Sequence, residues 1–256
     1  MGLRLIGGAQ VNVIEMGPED APPLIMIHGL FSNLSLYYFI IAPELAKDHH
    51  VVLYDLRGHG TSECRDEGYT LEILSADLLA LMDSLGITQA DIVAYSYGGT
   101  AALYTAVTHP EAVRRLVLID TPMLNEPEIE RLGASGTDDG LIEYMLREYS
   151  AETDFFLSDS KKRQVREKWH RLFDDGLLAA ALRDGYAYLE RLPLEQLAAS
   201  TLLMYGNQSS LLTTGQELAR RIPQAELLTT DGDHNLPILV PYWVCEKLQE
   251  FFKQPT

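Results

Sequence analysis

The chain has 256 residues, 46% hydrophobic and 22% charged, enough to bury a sizeable core in one large domain or in a domain carrying an insertion. Its net charge of −17 argues against nucleic acid as a partner, because phosphate binding needs a basic surface, and it disfavours an anionic membrane surface. Only Cys64 and Cys245 are present, which makes no disulfide framework and reads as two lone buried or half-buried thiols.

The opening stretch MGLRLIGGAQVNVIEMG alternates like a strand and has no long apolar run, so it is not a signal peptide. Within it QVNVIEMG (10–17) has period two, and PLIMIHG (23–29) is a continuous apolar run ending at glycine. LYYFIIA (36–42) is the densest apolar run, yet far shorter than the roughly 18 residues of a membrane span. A cytoplasmic protein without membrane contact is expected. Strand patterns follow at HVVLYDLRGHG (50–60), ADIVAYSYGG (90–99), RRLVLIDTP (115–123), STLLMYG (200–206) and AELLTTDG (225–232). Helical spacing marks 70–87, 98–110, 215–223 and 240–253. Continuous apolar strands bounded by Gly or Pro fit a sheet covered on both faces. Their alternation with helices predicts an α/β protein with a doubly wound, mostly parallel sheet.

Residues 124–198 break the alternation and read as helices throughout. The expected organisation is therefore a core of 1–123 and 199–256 with an inserted helical cap or lid at 124–198. Ligands in such sheets bind at the carboxyl ends of the strands, beneath a cap placed there. The cap carries the basic run KKRQVREK (161–168), which reads as a solvated face, or more sharply as a dock for phosphopantetheine or an acidic carrier protein. Phe155, Phe156, Trp169, Phe173 and Tyr188 read as packing residues.

VAYSYGGTAA (93–102) places Ser96 between a strand and a small-residue helix start, a G-x-S-x-G pattern with Ala94 in the first glycine position. Such a turn needs small neighbours, exposes the hydroxyl at the sheet edge and aims a helix N-terminus at it. The bland alternative is a serine that caps the helix. Seven histidines are present, and His234 in TTDGDHNLP follows the last strand, where a general base for Ser96 must stand. No His/Cys/carboxylate cluster has metal-ligand spacing, and there is no G-x-G-x-x-G or phosphate loop, so no metal and no cofactor are expected.

Taken together these segments resemble the α/β-hydrolase fold superfamily over nearly the whole chain. PLIMIHG resembles its third strand with a His-Gly turn. VVLYDLRGHGTS resembles its D-x-R-G-x-G-x-S segment, with Asp55, Arg57, Gly58, His59, Gly60 and Ser62. The resemblance implies an oxyanion hole from the backbone N–H groups of Leu30 and Tyr97, with the His28 imidazole, Asp55 and Arg57 structural. It also implies an acid in a G-x-x-D turn after STLLMYG. That turn is Gly206-Asn207-Gln208-Ser209, with Ser209 where the aspartate belongs.

Asp120, at the end of LVLID, is the replacement expected: its strand should neighbour the one bearing Ser96, and a branch of the family is similar in this respect. Asp231, Asp233 and Asn207 are the rivals, and Asp120 as a simple cap of the following segment is the bland alternative. The expected function is a serine hydrolase using Ser96, His234 and Asp120 on an ester or thioester of a small, largely apolar acid. Expected partners are a small-molecule acyl substrate, with an acyl-carrier or CoA thioester as one form. A C–C hydrolase or lyase, a biosynthetic cyclase or transacylase, and a ligand-binding protein with little turnover stand as alternatives.

Overall fold

The computed structural model describes residues 2–30, 32–65, 68–123, 181, 184, 185, 188, 189 and 191–254. The strands are β1 (Gly2–Ile6), β2 (Ala9–Met16), β3 (Pro23–Ile27), β4 (His50–Tyr54), β5 (Ala90–Tyr95), β6 (Val113–Ile119), β7 (Ser200–Gly206) and β8 (Ala225–Thr230). The helices are α1 (Ser35–Tyr38), α2 (Ile41–Leu45), α3 (Leu71–Ser84), α4 (Tyr97–Thr108), α5 (Leu212–Arg221), α6 (Leu236–Leu239) and α7 (Pro241–Phe252). The strands form one sheet in the order β1-β2-β4-β3-β5-β6-β7-β8. β2 runs antiparallel to β1 and β4, and the six strands β3 to β8 pair in parallel.

The continuous apolar runs have a direct explanation in this topology. Successive strand residues point to opposite faces, and both faces are covered. Ile25, Ile27, Ile92, Leu116 and Leu118 pack with Leu74 and Leu78 of α3 and Leu103 of α4 on one side. Leu24, Met26, Val93, Val117 and Ile119 pack with Ile41 and Leu45 of α2 and Val244 and Leu248 of α7 on the other. Leu189, Leu192, Leu194 and Leu197 join the α3–α4 side. Each fully buried Leu, Ile or Val contributes about 1.5–3 kcal/mol, so this two-sided core dominates stability.

The Asp55–Gly60 stretch supports the sheet edge from below. Asp55 Oδ1 accepts the Leu34 N–H at 2.8 Å, and Oδ2 accepts Asn12 Nδ2 and the Thr61 N–H, each at 2.9 Å. Arg57 forms a two-pronged pair with Asp77 of α3 at 2.7 and 2.9 Å, buried on both sides. Burial pushes the Asp77 carboxyl up against the pull of Arg57, while the hydrogen bonds to Asp77 raise the guanidinium further.

Two expectations need adjustment. Cys64 is exposed, because it lies on the loop after β4 rather than in an element; Cys245 is buried as expected. β8 is only half-buried, since it is an edge strand. The apolar run at 36–42 falls on two short helices, α1 and α2, and the link between them. Most of the expected cap, including 161–168, Phe155, Phe156, Trp169 and Phe173, lies outside the described residues. Of its described part, residues 194–196 form a single 3₁₀ turn, and the Tyr188 ring lies 5.5 Å from that of Tyr104 in α4. Among the described residues no helix is long and apolar enough to cross a membrane.

Candidate active site

Ser96 occupies the turn between β5 and α4 with φ 51° and ψ −123°. A positive φ on a non-glycine residue carries strain, and it persists because the surroundings over-determine it. The Ser96 N–H is held by the Ile119 carbonyl at 2.9 Å, and its carbonyl accepts the Gly99 N–H at 2.8 Å. The small residues after it are demanded by close approach. A Cβ on Gly98 would collide with the His28 carbonyl, and one on Gly99 with the Thr121 side chain. A Cβ on Gly29 would lie 3.0 Å from that of Ser96, so the β3–α1 loop packs directly against the serine.

Asp120 follows the last residue of β6 with φ 44°, its N–H held by the Met204 carbonyl of β7 at 2.8 Å. β6 lies between β5 and β7, so the ends bearing Ser96, Asp120 and Gly206 stand side by side. His234 comes from the loop after β8. That loop is clamped to the β7 turn: the Asn207 N–H donates to the Thr230 carbonyl at 2.9 Å and the Gln208 N–H to the Gly232 carbonyl at 3.0 Å. Gly206 has to be glycine here, because a Cβ would run into the Gly232 carbonyl.

The three side chains meet in a hydrogen-bonded chain. His234 Nε2 is 3.0 Å from Ser96 Oγ, and His234 Nδ1 is 3.0 Å from Asp120 Oδ1. Ser96 and Asp120 have no solvent exposure and His234 only 4%. A carboxylate can only accept, so Nδ1 carries the proton and Nε2 presents a lone pair to the serine hydroxyl. The Tyr95 ring stacks obliquely on His234 at 5.1 Å. Such an arrangement can take a proton from the hydroxyl as it attacks a carbonyl and stabilise the resulting imidazolium.

The turn without an acid is wired to the aspartate beside it. Ser209 Oγ donates to Asp120 Oδ1 at 2.6 Å and accepts the Leu211 N–H at 3.0 Å, while the Gly206 N–H donates to Asp120 Oδ2 at 3.1 Å. Tyr205 stands next to this carboxylate. Burial, with the Asp120 charge adding to it, pushes its phenol far above the ordinary range, so it stays protonated and donates to the Thr121 carbonyl at 2.7 Å. The rivals are engaged elsewhere: Asn207 Nδ2 donates to Asp231 at 2.6 Å, and Asp233 accepts the Asn235 N–H at 2.8 Å.

Leu30 and Tyr97 are both buried and flank Ser96, one following Gly29 and the other opening α4. The His28 ring is tied into the fold, with Nε2 accepting the Leu56 N–H at 2.9 Å and Nδ1 donating to the Gly29 carbonyl at 2.7 Å. Sequence reasoning saw Ser209 only as a missing acid. Its hydroxyl and the Gly206 N–H acquire partners only when β6 and β7 lie together.

Comparison with known proteins points to the same fold. A family model described as alpha/beta hydrolase fold matches residues 22–135. The chain is 31% identical over 237 residues to a 2-hydroxymuconate semialdehyde hydrolase of Pseudomonas sp. (strain CF600), covering 87% of this chain and 83% of that protein. It is 34% identical over 111 residues to 3-oxoadipate enol-lactonase 2 of Acinetobacter baylyi, but there it spans only 41% of the relative's length and 43% of its own. A solved α/β hydrolase from a Medee basin deep-sea metagenome library superposes with a TM-score of 0.79 at 21% identity, over 100% of this chain and 98% of that one. With sheet, serine turn and relatives in agreement, the chain belongs to the α/β-hydrolase fold family.

Proposed function

We propose that the protein is a serine hydrolase acting on an ester or thioester of a small, largely apolar acid. The observation that carries this reading is the buried relay from Ser96 through His234 to Asp120, with both links at 3.0 Å. Ser96 Oγ attacks the carbonyl carbon while His234 Nε2 takes its proton. The oxygen that gains the negative charge is held by the N–H groups of Leu30 and Tyr97, and the opening turn of α4 adds a favourable dipole. His234 then returns the proton to the departing alcohol or thiol. Water, activated by the same imidazole, hydrolyses the acyl-serine. A serine at the turn disfavours the carboxylate attack that epoxide opening or dehalogenation would need. Residues 124–198 are proposed as the helical cap over the acyl group, and the net charge of −17 disfavours a substrate presented on an anionic surface.

A second reading, hydrolysis of a carbon–carbon bond, is favoured by the likeness to a hydrolase named for 2-hydroxymuconate semialdehyde, which is not an ester. The test is turnover of short p-nitrophenyl esters and acyl thioesters, with intact-mass analysis after a fluorophosphonate. The expected result is a single adduct on the peptide containing Ser96, and loss of turnover in Ser96→Ala. An adduct on Ser209 or Ser210 instead would remove Ser96 as nucleophile. A Ser96 adduct without ester or thioester turnover would favour the second reading.

A further inference from the structure

We propose that Ser209 is a positioning residue for the relay: its hydroxyl fixes the Asp120 carboxylate in the orientation that His234 needs. The inference rests on the proposed function of Ser96, His234 and Asp120.

Asp120 Oδ1 receives two donors, His234 Nδ1 at 3.0 Å and Ser209 Oγ at 2.6 Å, while Oδ2 receives the Gly206 N–H at 3.1 Å. A carboxylate on a short side chain can still rotate about χ2, a broad torsion with no sharp minimum of its own. Donors on both oxygens remove that freedom. The Gly206 N–H is a weak restraint by distance, and the Ser209 hydroxyl, short and charge-assisted, is the stronger one. The Ser209 hydroxyl is itself fixed. Its oxygen accepts the Leu211 N–H at 3.0 Å, so its proton points to Asp120. The hydroxyl has one other use in the turn, as acceptor of the Leu211 N–H, while α5 itself begins without a side-chain cap.

Seen this way, the chemistry of the turn is complementary to the acid's place. With the carboxylate on β6, the β7 turn supplies a donor. A second carboxylate at residue 209 would stand against Asp120 and the two charges would repel. The uncharged stretch 196–216 is then what this position of the acid requires at its centre.

The experiment measures kcat and KM for p-nitrophenyl butyrate, and the rate of fluorophosphonate labelling, in Ser209→Ala, Ser209→Thr and Ser96→Ala. Each rate is normalised to the folded fraction from thermal melting. Losing a hydrogen bond to a charged group corresponds to roughly a tenfold or larger effect, so Ser209→Ala should lose about that factor in kcat and in labelling rate, with KM unchanged. Ser209→Thr keeps the hydroxyl and should recover most of the loss. A Ser209→Ala protein with normal kcat per folded molecule overturns the proposal, and so does a loss that threonine fails to recover. Ser96→Ala separates the two levels. If it keeps turnover, the nucleophile assignment itself fails; if it is inactive while Ser209→Ala is unimpaired, only the positioning role falls.

Discussion

Ser96 and Asp120 are the two non-glycine residues with positive φ among the described residues, and they face each other across one histidine. Backbone strain of this kind costs of order 1–3 kcal/mol per residue, so its concentration at the relay points to a functional demand on both positions. Asparagine tolerates positive φ nearly as well as aspartate, and Asp120→Asn should therefore fold normally. It cannot serve as the acid. Every partner of the carboxylate is a donor, so an amide NH2 group must oppose either the Gly206 N–H or the His234 Nδ1–H, and in the second case it favours the wrong tautomer. Turnover of p-nitrophenyl esters should fall by orders of magnitude, as loss of the acid costs about 10⁴-fold in the protease relay. Near-normal turnover in Asp120→Asn, with loss in Asp233→Asn or Asn207→Ala instead, would move the acid elsewhere. The two thiols make a second test. Burial pushes the Cys245 thiol up to about 11, so at pH 8 it stays protonated as well as covered. Alkylation of the native protein at pH 8 should add one label, on exposed Cys64, and a second only after denaturation. Rapid native labelling of Cys245 would show that the α7 face opens readily. Of these residues, Ser96 was legible from its strand–turn–helix setting and His234 from its place after the last strand. Asp120 followed from strand adjacency together with the resemblance, which left the usual acid position empty. The part played by Ser209 was not legible, because a hydroxyl has no distinctive pattern until its partner's position is known.

At the scale of elements, the strands that read clearly were those covered on both faces, where burial favours continuous apolar runs; β7 matches its expected span of 200–206. The less legible pieces follow from weak physical constraint. β1 exposes four of its five residues at the sheet edge, and α1 and α2 are single helical turns too short to establish a 3.6-residue period. The helix starts also shifted. α5 begins at Leu212, before the Gly215 from which its pattern was counted, because Gly215 packs its bare backbone against the Tyr205 ring. The ends of β6 and β7 carry the element-level prediction. They are hydrogen-bonded neighbours, and Ser209 Oγ reaches the same oxygen that His234 Nδ1 contacts. An aspartate at residue 209 extends one C–O bond beyond the serine hydroxyl, toward that oxygen's present location. Asp120→Gly vacates the space and suits the φ of 44°. The pair Asp120→Gly with Ser209→Asp should thus turn over p-nitrophenyl esters faster than Asp120→Gly alone. Equal rates in the two proteins would show that the β7 turn cannot aim a carboxylate at His234.

For the molecule as a whole, β6 separates what holds the fold from what the site does. At its amino end Arg115 reaches across to the end of α7, donating to the Phe252 carbonyl at 2.7 Å and the Gln254 carbonyl at 2.8 Å. Its guanidinium also lies 6.0 Å from the centre of the Phe252 ring. These contacts pin the last helix to the middle of the sheet. At its carboxyl end, five residues on and roughly 16 Å away at about 3.3 Å per residue, Asp120 holds His234. Effects at such a separation, with no shared partner, should be independent. Arg115→Ala removes two hydrogen bonds made by a charged donor and some packing on Phe252. A loss of about 2–4 kcal/mol is expected, read from urea unfolding. The carbonyls it leaves belong to half-buried Phe252 and exposed Gln254 and regain water, which keeps the loss toward the lower figure. kcat per folded molecule should not change. Asp120→Asn should do the reverse, with the unfolding midpoint nearly kept and kcat lost. A double variant should show the two effects adding, stability from one end and rate from the other. If Arg115→Ala lowered kcat in the folded protein, the sheet would be transmitting strain along β6 to the relay, and the division between its two ends would be wrong.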